Sequence, residues 1–156
     1  MKPTSYLFLA SLALVSALPV YADFTGKVVS VADGDTVTVL VERTQIKVRL
    51  IEIDAPEKAQ AFGNKSKQAL ADMVFGKVVE VEERGKDRYM RTLGRVVVSG
   101  LDANAEMVRQ GYAWVYRKYS KNPELLRLES EARETKRGLW VDSDPVPPWE
   151  WRHTKK

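Results

Sequence analysis

Asp35 follows a glycine in the run VADGDTVTV, Asp54 ends the apolar stretch VRLIEID, and Glu57 comes directly after the rigid pair Ala55-Pro56. Each has a plain structural explanation. Asp-Gly between alternating runs is a hairpin signal, and an acid beside a strand-ending proline is commonly a solvated loop residue. Arg49 shifts the balance because it lies inside VRLIEI, where a guanidinium either snorkels to water from an edge strand or is met by acidic partners. In the second case it shares a mouth with the carboxylates, and its fork of donors suits an anion such as phosphate. The loop RGKDRYMRTLGR adds Arg84, Lys86, Arg88, Arg91 and Arg95 around Tyr89. Such a run serves either as a solvated loop or as a groove in which arginines hold a nucleic-acid backbone and an aromatic ring stacks on a base.

The rest of the composition narrows the chemistry. There is no cysteine, and the single histidine, His153, sits in the last four residues. A histidine base, a cysteine nucleophile and a His/Cys zinc cage are thereby set aside. Carboxylate, arginine, lysine, tyrosine and a hard cation held by oxygen ligands remain. A formal charge of +4 with both signs abundant permits a polyanionic partner without demanding one.

The elements that must position these residues begin after a leader. Residues 1–22, MKPTSYLFLASLALVSALPVYA, read as a secretory signal peptide cut after Ala22. The apolar stretch is too short to span a bilayer, so export followed by release from the membrane, into a periplasm or the medium, is the expectation. The chain beyond the leader suits one domain, 23–141, which must stand on its packed core because no disulfide is available.

From Phe24 to Ile53 apolar residues mostly alternate, predicting three strands broken at Asp33-Gly34 and Arg43-Thr44. Lys77–Glu83 and Thr92–Val98 predict two more, and five strands in so short a chain suggest a barrel, since closure removes exposed edges. Helices are predicted over Asn64–Phe75, over Asn104–Gln110 with Asn104 as cap, and from Asn122-Pro123 to about Arg137. The tail 142–156, rich in proline and tryptophan, carries no pattern that assigns helix or strand, and is expected to pack back on the domain.

The segments VADGDTV, VRLIEIDAPE and DRYMRTLGR, succeeded in order by NAEMVRQGYAWVY and LLRLESEARETKRGLW, resemble the staphylococcal nuclease (thermonuclease) family from about Phe24 to Trp140. The resemblance implies an α+β, mainly β fold, a five-stranded OB-type barrel with three α-helices. It also implies a monomeric calcium-dependent endonuclease that cuts DNA and RNA, preferably single-stranded, to leave 3′-phosphate ends. On it, Asp35, Asp54 and the Ala55 carbonyl match the calcium ligands. Glu57 matches the acid that handles the attacking water, and Arg49 and Arg91 the phosphate-binding arginines. Arg88 and Tyr89 match the pair that touches the terminal phosphate, and either Tyr116 or Tyr119 stacks on a base. Two departures stand out: Met90 replaces a glycine before Arg91, and the loop after Glu57 is short. The competing reading is an OB-fold protein that binds nucleic acid without cutting it. A third is an envelope module that uses Pro147-Pro148-Trp149-Glu150-Trp151 as its contact.

Overall fold

A computed structural model describes residues 22–154; the signal-peptide reading, over 1–22, lies almost wholly outside them. Alternation from Phe24 onward builds β1 (Phe24–Asp33), β2 (Thr36–Val41) and β3 (Thr44–Leu50), with a two-residue strand, β4 (Ile53–Asp54), after them. After α1 (Gly63–Val74) come β5 (Val78–Lys86), β6 (Thr92–Val98), β7 (Leu101–Asp102), α2 (Ala103–Arg109), β8 (Trp114–Val115) and α3 (Pro123–Glu134). A 3-10 turn (Gly138–Val141) and a last helix, α4 (Pro148–Thr154), complete the described chain.

The main sheet runs β3-β2-β1-β5-β6-β7 and closes on itself where β3 pairs with β6 in parallel, Val48 with Thr92, Arg49 with Leu93 and Leu50 with Gly94. The five long strands thus form the expected closed barrel. Its interior is the inward half of each alternating run, Val28, Val37, Val39, Val48, Leu50, Val79, Val81 and Val96, all essentially without solvent contact. Leu70 and Val74 of α1, Met107 and Val108 of α2 and Leu125 of α3 seal the core. Burial of such side chains stabilises by roughly 1.5–3 kcal/mol each.

Three sequence expectations are corrected. The cap of α2 is Asp102, whose side chain accepts from the Ala105 amide, and not Asn104. Asn104 is buried: it accepts from the Val96 amide at 3.1 Å and donates to the Ile51 carbonyl at 3.0 Å, tying β6 to the bend before β4. Helix α3 stops at Glu134, short of Arg137, because Lys136 turns to a φ of 52°. The tail does form a helix, α4, giving four α-helices where three were expected among the described residues. It folds back on the domain through contacts that no local periodicity encodes.

Gly34 makes the β1–β2 turn possible by its lack of a side chain. A Cβ there would fall 1.9 Å from Ser66 Oγ and 2.8 Å from Ala55 Cβ, and the serine hydroxyl is itself held by the Tyr112 carbonyl at 2.5 Å. Gly34→Ala is expected to destabilise the fold by about 3 kcal/mol, the upper range for overpacking a tight contact. Urea unfolding checks this, and an unchanged midpoint would show that α1 yields freely.

Candidate active site

The β1–β2 turn and the β3–β4 bend meet because Thr36 pairs with Arg49 across β2 and β3. The Leu50 amide continues the register by donating to the Asp35 carbonyl at 2.8 Å. Arg49 therefore points inward among acids and does not lie on a wet edge. Its Nη2 stands 3.1 Å from Asp35 Oδ2 and 2.9 Å from Asp54 Oδ1. Its Nη1 donates to the carbonyls of Leu50 at 2.8 Å and Ile53 at 3.1 Å. The Ala55 amide donates to Asp35 Oδ2 at 2.7 Å, and the Thr36 hydroxyl to Asp35 Oδ1 at 3.1 Å. Asp33 accepts from the Asp35 amide at 3.1 Å and so serves the turn itself.

Both aspartates are buried. Burial pushes the Asp35 carboxyl up to about 7; Arg49 opposes the shift, while the negative neighbours Asp33 and Asp54 add to it. Two carboxylates in so little water favour a positive charge between them.

Glu57 is presented by a compact loop. The Gln60 amide donates to the Glu57 carbonyl at 2.8 Å, and the Glu57 amide donates to Gln60 Oε1 at 3.1 Å. Gly63 lets α1 start directly against this loop, since a Cβ there would fall 2.0 Å from the Glu57 carbonyl oxygen. The side chain is partly exposed and meets Arg152 of α4 at 2.8 Å. The same arginine bonds both oxygens of Asp54, at 3.2 and 2.8 Å. Burial works against its charge, but the bonds to Asp54 and Glu57 outweigh that and hold the Arg152 pKa above the usual value.

Asp35, Arg49, Asp54, Ala55 and Glu57 are thus brought together, and Arg91, Arg88 and Tyr89 form a second group. Arg91 lies one residue before Thr92, the β6 partner of Val48, so the barrel seam places it one strand away from Arg49. Its ion pair is with Asp87, at 2.7 Å. Burial disfavours the Asp87 charge, yet hydrogen bonds from the Arg91 side chain and amide and the Tyr89 amide hold that carboxyl below its usual value. Tyr89 is exposed, with the Arg88 guanidinium 4.7 Å and the Arg91 guanidinium 5.6 Å from its ring centre.

Tyr116 comes directly after β8, whose Trp114 pairs with Asp54, and its amide donates to the Glu52 carbonyl at 2.8 Å. It therefore sits on the same short ribbon as the aspartate. Its ring is stacked on Trp149 of α4, centroids 5.4 Å apart and planes at 1°, while Tyr119 stands edge-on at 4.8 Å and is exposed.

Two residues escaped sequence reasoning. Glu129 is buried on α3, accepts from the Val115 amide at 3.0 Å and pairs with Arg117 at 2.5 Å, anchoring β8. Its place between Leu128 and Ala132 on the apolar face was a usable signal. Arg152 had none, standing in a tail without periodicity.

Among the described residues no three acidic or histidine side chains converge as a ready-made metal cage. The donor set nevertheless fits a hard divalent cation. It is oxygen-only, two of its carboxylates meet, and a guanidinium already occupies the space between Asp54 and Glu57, a stand-in positive charge.

The family described as staphylococcal nuclease homologue matches residues 47–142. A protein named ParB from Escherichia coli is 48% identical over 97% of this chain and 94% of its own length. One named micrococcal nuclease from Shigella flexneri is 45% identical over 94% and 91% respectively. The chain belongs to the staphylococcal nuclease family. An uncharacterized endonuclease of Escherichia coli O157:H7 is also 50% identical over 86% of this chain and 88% of its own.

Met90, which stands where the resemblance places a glycine, has a φ of 62°, in the left-handed region that glycine adopts freely. Met90 is exposed, so its side chain returns little packing. Met90→Gly is expected to stabilise the protein by about 1 kcal/mol, seen as a higher urea midpoint; a lower midpoint would mean that the methionine contributes contacts exceeding its backbone cost.

Asp35 yields a pH-dependent expectation. Its folded pKa lies above the ordinary 3.8, so its contribution to stability is intact below about pH 4 and is lost as pH rises toward 7. Asp35→Asn is therefore expected to stabilise the fold at pH 8 by about a few kcal/mol, with the gain vanishing near pH 4. Thermal melts at the two pH values check this; equal gains at both would remove ionisation as the cause.

Proposed function

We propose that this chain is an exported, monomeric, calcium-dependent endonuclease that hydrolyses DNA and RNA, single strands preferentially, and leaves 3′-phosphate ends. Membership of the staphylococcal nuclease family supports a nuclease. The observation that carries the finer reading is the meeting of Asp35 and Asp54 on Arg49, with Glu57 held beside them by its own loop. A protein that only bound nucleic acid would gain nothing from burying two carboxylates at the place a phosphate must approach.

Asp35, Asp54 and the Ala55 carbonyl would hold the cation, and calcium bound there supplies positive charge that neutralises the phosphate and polarises it. Glu57, partly exposed, orients a water and takes its proton as that oxygen bonds to phosphorus. Arg49 and Arg91 lie across the barrel seam from one another and clamp the non-bridging oxygens; preorganised charges of this kind contribute several kcal/mol to lowering a barrier. The bond from phosphorus to the 5′-oxygen breaks and that oxygen is protonated from solvent, because a guanidinium is a poor acid at neutral pH. Arg88 and Tyr89 reach the terminal phosphate, and Tyr116 offers a ring to a base. The leader over 1–22 directs export, and among the described residues no helix is long and apolar enough to cross a membrane.

Digestion of single-stranded DNA and RNA with end-group analysis tests this. Calcium is expected to support cleavage and a chelator to stop it, with 3′-phosphate products. Asp35→Ala and Glu57→Ser should each lower turnover by about 10²–10⁴-fold. Undiminished cleavage by either variant would overturn the mechanism, and retention of nucleic acid without shortening would favour the non-cleaving alternative.

A further inference from the structure

The C-terminal helix places its two large contacts on groups that the reaction needs. Arg152 bridges Asp54 and Glu57 through three hydrogen bonds, and Trp149 lies flat on Tyr116. A further tie, from Gln60 Nε2 to the Val146 carbonyl at 2.6 Å, joins the tail to the Glu57 loop. We propose that Arg152 is a tethered competitor of the divalent cation: its guanidinium neutralises the carboxylates that the metal would use, and so sets the cation concentration at which the site loads.

The inference rests on the reading of Asp35 and Asp54 as metal ligands, and its physical basis is charge. Asp35, Asp54 and Glu57 present three negative groups to Arg49 and Arg152. Removing Arg152 leaves the cluster one unit more negative toward an incoming cation. An arginine next to a carboxylate commonly lowers its proton affinity by about ten- to a thousandfold, and the same repulsion acts on a metal ion at the same oxygens. Both Asp54 oxygens are also occupied by Arg152 donors, so a cation must displace at least one bond before it can bind there.

The tail is built to yield. Helix α4 has seven residues, of which only Pro148 is buried, and so short a helix has little stability apart from its contacts. Beneath the tail lies a cavity of about 70 Å³ lined by Pro56, Phe62, Trp114, Val146 and Trp151, so the fit is incomplete. A nucleotide base stacking on the face of Tyr116 that Trp149 covers would draw the helix off in the same direction. Cation and substrate would then each favour the other's binding through the helix, in addition to the attraction between the cation and the phosphate.

Isothermal titration of the full chain with calcium chloride, without nucleic acid, tests the idea by a readout other than activity. Arg152→Ala is expected to bind calcium about tenfold more tightly than the parent, and Arg152→Lys to fall between them because an ammonium cannot span both Asp54 oxygens. Unchanged or weaker binding by Arg152→Ala, with a native circular dichroism spectrum, would overturn the proposal; weaker binding would mean that the arginine helps to build the metal site. Should that variant lose its fold, Trp149→Ala decides, with tighter calcium binding expected from releasing the helix and an unchanged affinity counting against it. Absence of calcium binding in the parent and in every variant would sink the metal reading itself, whereas equal affinities throughout would sink only the role of Arg152.

Discussion

The structure turns on the burial of two like charges around one guanidinium. Asp35 and Asp54 come from different elements, and each alone would be costly to remove from water. Arg49 makes the arrangement tenable by facing both carboxylates with one nitrogen and two backbone carbonyls with the other. The rise of the Asp35 carboxyl toward 7 is the residual imbalance. A fold selected only for stability has better uses for such a position, and strained, buried carboxylates of this kind gather at functional sites.

The barrel supplies the rigidity that holds it. Arg49 lies on β3 at the seam where the sheet closes on β6, so its backbone is paired on both sides. Asn104 and Glu129, both buried, secure the neighbouring bend and β8 by bonds to main-chain groups. The aspartates, the second arginine group and the aromatic ribbon are thus referred to one frame, and the loops that carry Glu57 and Arg91 start from its strands and are braced by their own hydrogen bonds.

The tail is of a different character. Its helix lays Arg152 and the ring of Trp149 over the site, and Trp149 also packs edge-on against Trp114 at the margin of a small aromatic core cluster. A seven-residue helix with one buried residue opens at low free energy, so the element that covers these carboxylates is among those least costly to move.

Much of this was legible in the chain. Alternating apolar residues in β2 and β3 and the Asn122-Pro123 start of α3 are local signals with local causes, and the barrel follows from the alternation. The absence of cysteine and the lone terminal histidine confined the chemistry to oxygen ligands and arginine. What the sequence left open was direction. Whether Arg49 faced water or acid depended on which strand closed against β3; Asn104 lost the cap to Asp102 and gained a role 53 residues away in sequence at Ile51; and Arg152 meets Asp54 across a separation of 98 residues. Periodicity and turn chemistry report neighbours within a few residues, and so determined the elements and the kinds of group available. Which charges meet is decided by closure of the barrel and by the return of the chain's end, and only the tertiary structure carries those.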